Sequence, residues 1–140
     1  MLLVQALQMF ESLDDPNNIE YPKNFDYVEE TGRFTAFVKD LEEATGKKLE
    51  KESGVYIQDA SFHSQARIGE AWLRFSNFGS MIALFPENAV SAEVLCTIKE
   101  LGTLHGFVVI PEKYMEIEYS GAASSCSGIR DWGIRFFDWL

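Results

Sequence analysis

An α+β fold, an antiparallel sheet of about five strands with helices packed on one face, follows from three features of the sequence. Apolar residues recur at helical spacing early in the chain, and strand-length runs rich in β-branched and aromatic residues fill its middle. The connections between those runs are short, which keeps neighbouring strands antiparallel. With 140 residues, 46% of them hydrophobic and 14% aromatic, the chain suits a single domain spanning 1–140 around one core.

The first element is MLLVQALQMFESL, where Leu2, Leu3, Ala6, Leu7, Phe10 and Leu13 share one helical face before DDPNN ends the helix. Residues 17–32 set Asn17, Asn18, Pro22 and Gly32 among acids and among Ile19, Tyr21, Phe25, Tyr27 and Val28. Their periodicity is poor, and they read as an ordered loop with one short helical turn. Phe34, Phe37, Val38, Leu41 and Thr45 then share a face, with Thr31 as a cap and Gly46 where a helix end needs positive φ. KKLEKES follows as a solvated connector.

GVYIQDASFHSQARI, EAWLRFSN and SMIALFP read as three strands, broken at Gly69 and at the Asn77–Ser80 turn. In the second, Ala71, Leu73 and Phe75 alternate with Trp72, Arg74 and Ser76. A third helix runs through Val94, Leu95, Ile98 and Leu101, with Asn88 or Ser91 as its cap and Gly102 or Gly106 near its end. FVVIP is expected as a short buried strand and KYMEIEYSG as an edge strand with Glu116 and Glu118 facing water. GAASSCSG reads as a small-residue loop, and WGIRFFDW as a final strand or a short helix. In that closing segment Trp132, Ile134, Phe136, Phe137 and Trp139 are expected in the core, with Arg135 and Asp138 on the wetter side.

Charge is spread unevenly along the chain. Of a net −10, residues 1–62 carry −7 (13 acidic, 6 basic) and residues 63–140 carry −3 (9 acidic, 6 basic). Glu11, Asp14, Asp15, Glu20, Asp26, Glu29 and Glu30 are opposed within their segment by Lys23 alone. Such a field repels nucleic acid and anionic membranes and attracts basic partners, although plain solubility uses acidic surface as well. Arg74 beside Trp72 and Phe75, and Arg130 and Arg135 beside Trp132 and Phe136, are expected to neutralise Asp131 and Asp138 or to lie over rings. The opening MLLVQALQMF has neither a basic flank nor a cleavage site, is too short to span a bilayer and reads as a helix; Cys96 and Cys126, 30 residues apart with no metal-ligand spacing, lead to the expectation of a reduced, cytoplasmic protein.

Little in the sequence supports catalysis. His63 and His105 form no HxxxH pair, Cys96 and Cys126 form no CxxC, and no calcium loop is present, so neither a metal nor a cofactor is expected. Asp59, Ser61 and His63 would share a face if DASFH were a regular strand, giving a small hydrolase its orienter, hydroxyl and base. Residues two apart on a strand are separated by about 6–7 Å, however, and no oxyanion donor is visible.

The ending DWGIRFFDWL, on a single acidic domain of this length with a helical first part and a strand-rich middle, resembles the close of bacterial immunity proteins encoded beside polymorphic toxins. That resemblance implies a protein without enzymatic activity that neutralises a cognate toxin domain, such as a nuclease effector of contact-dependent growth inhibition. The expected contact surface is Glu11, Asp14, Asp15, Glu20, Tyr21, Asp26, Glu29 and Glu30, with Phe25 and Tyr27 as further anchors. The competing expectation is a ligand-binding or regulatory module with a large apolar pocket beneath Trp72 and Trp132.

Overall fold

The computed structural model describes residues 1–54, 57, 60–122 and 128–138. Four strands, β1 (Glu50–Ser53), β2 (Phe62–Ile68), β3 (Ala71–Ser76) and β4 (Met81–Phe85), form an antiparallel meander in sequence order. The fifth, β5 (Val108–Ile110), lies parallel to β4, which makes the sheet mixed. Its direction follows from its connection: α3 (Ala92–Leu104) intervenes, and a helix crossover returns the chain in the same sense. The α+β reading therefore holds, with one parallel pair at the sheet's edge.

Helices cover both faces of the sheet, not one. Side chains alternate along β4, so Ile82 and Leu84 join Phe34, Phe37, Val38 and Leu41 of α2 (Tyr27–Thr45) and Ile98 of α3 in one core cluster. Met81 and Ala83 face the other way. They join Ala6 and Phe10 of α1 (Leu3–Leu13), Tyr114 and Met115 of α4 (Glu112–Met115), and Trp132, Phe136 and Phe137 of α5 (Trp132–Phe137). A strand with both faces covered reads as a continuous apolar run, as MIALF does.

Local chemistry accounts for the element ends. Helix α2 begins earlier than expected because Asp26, and not Thr31, is its cap: Asp26 Oδ1 accepts from the Glu29 amide at 3.1 Å. Its opening turns carry no apolar stripe because Val28 and Glu29 project into solvent, which is why the loop expected there turns out to be helix. Gly46, at φ 68°, closes α2, and Ser91 caps α3 through the Val94 amide at 3.1 Å. KKLEKES supplies β1, a charged edge strand in which Glu52 Oε2 accepts from Gln65 Nε2 at 2.9 Å.

Of the segment expected as an edge strand, KYMEIEYSG, only Lys113–Met115 is helical, within α4, while Glu116 and Glu118 face solvent as expected. Pro111 suits a helix start, and the Glu112 and Glu87 amides each donate to the other residue's carboxylate, at 2.7 and 3.0 Å. What remains of the strand is one bridge between Glu118 and Asp131. Asp131 then caps α5 by accepting from the Ile134 amide at 2.8 Å.

Arg135 was expected on the wetter side and is instead fully buried. Its Nε donates to Asp14 Oδ1 at 2.8 Å, Nη1 to the Ile19 carbonyl at 3.0 Å, and Nη2 to the Asn18 and Asp15 carbonyls at 3.2 and 3.4 Å. The guanidinium carbon lies 4.7 and 4.8 Å from the Phe78 and Phe136 ring centres. Asp14 also accepts from the Tyr119 hydroxyl at 2.7 Å and the Ala122 amide at 2.8 Å. Trp132, Phe136 and Phe137 are buried as expected; Trp139 lies outside the described residues.

Arg135→Met should lower stability by about 3–5 kcal/mol, because Asp14 stays buried without its counter-charge. A fall in the urea midpoint at unchanged slope checks this. A loss of less than about 1 kcal/mol, the range of exposed pairs, would mean that the buried partners regroup.

Candidate functional site

The loop that precedes α2 is held from below and decorated above. Asn77 Nδ2 donates to the Glu20 carbonyl at 2.8 Å, and Arg135 grips the Ile19 carbonyl one residue earlier. Phe25 then acts as a keystone: its ring lies 5.9 Å from the buried His63 ring, stacks on Tyr21 at 6.1 Å and meets Tyr27 edge-on at 5.1 Å. The outcome is an exposed cluster, with Tyr21 49%, Tyr27 38% and Val28 83% accessible. Burial, with help from the neighbouring Glu20 and Tyr21, pushes the Tyr27 phenol above its ordinary range.

The acids expected as contacts divide into two sets. Asp14 is spent on Arg135, with its side chain 3% accessible. Glu30 takes Arg33 Nη1 at 3.1 Å, and Arg33 continues to Ser80 Oγ at 3.0 Å and the His105 carbonyl at 2.9 Å, tying α2 to two turns. Asp15 folds back on its own turn, accepting from the Asn17 amide and from Asn18 Nδ2; those bonds hold its carboxyl below the usual range. Glu20, Asp26 and Glu29 make no ion pair among the described residues and surround the aromatic cluster, while Glu11 is exposed on α1. Val28 belongs to the surface and escaped the sequence reading, since an isolated valine in a stretch without a period carries no signal.

Of the polar row Asp59, Ser61, His63, the two described members, Ser61 and His63, do not pair with each other. The strand starts at Phe62, and the β2–β3 register slips between Phe62 and Ser64, so His63 occupies a bulge. Its Nδ1 is 2.8 Å from Ser64 Oγ, not from Ser61, and Ser61 and His63 are both fully buried. Burial, reinforced by the Arg33 charge, lowers the His63 pKa to about 4, which keeps the ring neutral. Asp59 lies outside the described residues, as does Cys126. Cys96 is exposed on α3, where Glu100 pushes its thiol upward. The remaining histidine, His105, pairs through Nε2 with Asp40 at 2.7 Å.

Of the arginines expected over rings, Arg74 and Arg135 lie there. Arg74 sits 4.6 Å from the Phe62 ring centre and 5.2 Å from that of Phe85, with Asp138 at 3.8 Å. Beside it, between α4 and α5, a largely apolar cavity of about 220 Å³ is lined by Phe85, Met115, Ile134 and Phe137. That is smaller than the roughly 300–1,000 Å³ of small-molecule sites. Trp132, under which an apolar pocket was expected, is packed solid against Phe10 and Phe136 at ring separations of 5.4 and 5.8 Å. A larger hollow of about 570 Å³ is lined mostly by charged side chains, among them Glu87, Lys99, Glu112 and Lys113.

A second cavity of about 220 Å³ opens within the candidate surface, between the loop before α2 and the β3–β4 turn. Among the described residues no group of three or more His, Cys, Asp or Glu could hold a metal ion, and no helix is long and apolar enough to cross a membrane. No protein-family model, curated protein or solved structure matches this chain.

A buried neutral histidine makes stability pH-dependent in a predictable sense. The folded pKa is depressed to about 4 while an unfolded histidine titrates near 6.5, so the unfolded chain binds more protons between those values. Stability is therefore full above about pH 6.5 and declines by on the order of 3 kcal/mol as pH falls toward 4. His63→Gln should flatten this part of the profile relative to the parent protein, measured by urea unfolding from neutral to mildly acidic pH. Parallel profiles for the two proteins would refute the assignment.

Proposed function

We propose that this chain is an immunity-type inhibitor that binds a basic toxin domain through the surface formed by residues 20–29. The observation that carries the reading is the cluster of Tyr21, Tyr27 and Val28 held in the open by Phe25, with Glu20, Asp26 and Glu29 around it. Exposed tyrosines braced on a neighbouring ring lose little conformational freedom on binding, which is the property that makes aromatic residues effective anchors. The unpaired carboxylates around them add steering toward a cationic partner. A nuclease domain that grips phosphates presents such a surface, so an acidic inhibitor would meet it quickly and compete with its substrate. The acidic, single-domain layout and the DWGIRFFDWL ending support the same reading by resemblance. In this reading the protein works in the cytoplasm of the toxin's producer, without a cofactor, and does not itself bind nucleic acid or membrane.

The test is growth. The C-terminal domain encoded by the adjacent reading frame is expressed in a bacterial host with and without this chain. Rescue is expected, and the Tyr21→Ala, Tyr27→Ala double variant should bind the domain at least tenfold more weakly, since anchor truncations cost about 2 kcal/mol or more. Glu20→Lys with Glu29→Lys should instead slow association and reduce its salt dependence. A neighbouring domain that is harmless, or that kills both cultures equally, would sink the proposal.

A further inference from the structure

Helix α1 continues its apolar stripe past the core it helps to form. Along the face expected to be buried, Ala6 and Phe10 are fully enclosed and Leu7 and Leu13 half-buried, but Leu2 and Leu3 are 65% and 48% accessible. Met1 and Val4 lie beside them at 46% and 57%. Four consecutive apolar side chains therefore stand in water at one end of the helix. They are held there, because the Tyr114 hydroxyl donates to the Met1 carbonyl at 2.9 Å and the Leu2 amide donates to Gln5 Oε1 at 2.8 Å. Apolar residues scattered singly over a surface are ordinary, whereas a contiguous, ordered set marks a contact site.

Charge decides what covers it. Residues 1–10 carry no charged side chain in a chain of net −10. A helix that lies on an anionic bilayer needs lysine or arginine on its polar face, and α1 has neither. Beside Met1, a hollow of about 570 Å³ brings Lys99 and Lys113 together with Glu87, Glu112 and Glu116. None of these five forms an ion pair among the described residues. The carboxylates of Glu87 and Glu112 are occupied by backbone amides, which leaves the two lysines and Glu116 open to a partner.

Unpaired charges of both signs beside a neutral apolar patch are what a two-fold contact requires. Each patch there meets its own copy, so a lysine on one side faces a glutamate on the other. The tyrosine surface, ringed by acids alone, would repel its copy. We propose that the start of α1 and the adjoining hollow form the face of a homodimer, in which residues 1–4 of two copies pack across a two-fold axis and Lys113 of each pairs with Glu116 of the other. One helical turn and its rim make a small interface, so dissociation at micromolar concentrations is expected. The face lies at the end of α1 farthest from the loop that carries the tyrosines, and the inference does not depend on the inhibitor reading.

The test is sedimentation equilibrium of the full chain from low to several hundred micromolar. The mass should rise with concentration from 15.9 kDa toward twice that value. Leu2→Asp with Val4→Glu sets acids where a helix start favours them, so the monomer stays folded while the dissociation constant rises roughly tenfold or more. Lys113→Glu should also weaken the dimer, and Lys113→Glu with Glu116→Lys should restore it, since the swap keeps opposite charges across the axis. A chain that stays monomeric throughout, a dimer that survives the Leu2→Asp, Val4→Glu change, or a swap that fails to rescue would overturn the assignment. Flotation with vesicles of phosphatidylcholine and phosphatidylglycerol in place of self-association would give the patch to a membrane and overturn it equally.

Discussion

Arg135 has no contact with solvent, and the rest of the molecule is arranged to make that tolerable. An unpaired buried guanidinium would cost several kcal/mol, and here the Asp14 carboxylate, three backbone carbonyls and two aromatic faces replace its water. The polar partners come from the end of α1 and the loop after it, while the arginine itself belongs to α5 at the other end of the chain. The pair thus closes the fold across its full length. Gly121 belongs to the same arrangement, since a Cβ there would collide with the Asp14 carboxylate and the Tyr119 ring. Buried ion pairs of this kind seldom add much net stability over an apolar substitute, but they tolerate few alternative pairings, which favours one arrangement of the two termini.

From that anchor the candidate surface follows mechanically. Arg135 holds the carbonyls of Asp15, Asn18 and Ile19, Asn77 holds that of Glu20, and the chain emerges at Tyr21 with little freedom left. On the sheet side, α5 ends by giving its Phe136 carbonyl to Ser76 Oγ at 2.7 Å and its Phe137 carbonyl to Arg74 at 3.2 Å, while Ser61 N–H takes the Asp138 carbonyl at 3.0 Å. Carbonyls that a short helix would leave open are satisfied by the sheet. A surface assembled on such supports is ordered before any partner arrives, which lowers the entropic cost of association.

The parts legible in the sequence are those where a single period dominates. Helices α1 and α3 and strand β3 fall close to where apolar spacing places them, because each buries one regular face, and β4 is legible as a continuous apolar run buried on both. Misreadings occur where a second constraint competes with the period. The opening of α2 is helical with no buried stripe, since Val28 and Glu29 face solvent; β1 is a strand whose charges look like a linker; α4 is a single turn just ahead of the alternating residues 115–119 and has no period of its own. Arg135 was misplaced for a similar reason. Charge is ordinarily a surface signal, and only the three-dimensional meeting of residues 14–19 with residue 135 reveals a buried partner. The candidate site was legible as composition, a run of acids with tyrosines among them, but not as geometry. Nothing in the order of residues separates Asp14 and Glu30, which the fold holds in ion pairs, from Glu20, Asp26 and Glu29, which make none among the described residues.

That separation bears on what the negative charge is for. Solubility requires only that carboxylates reach water, and acids scattered on any surface would provide it. It does not require Tyr21 and Tyr27 to be exposed among them, nor Phe25 to be fixed between a buried histidine and both tyrosines. Exposed aromatic area has a cost in water, and ordering three rings around one another adds a cost in side-chain entropy. Ordered, exposed aromatic area beside unpaired carboxylates is the combination on which the docking proposal rests. The fold braces the aromatic part on Phe25, and in the proposed reading the unpaired acids would supply the field that draws a basic partner to it.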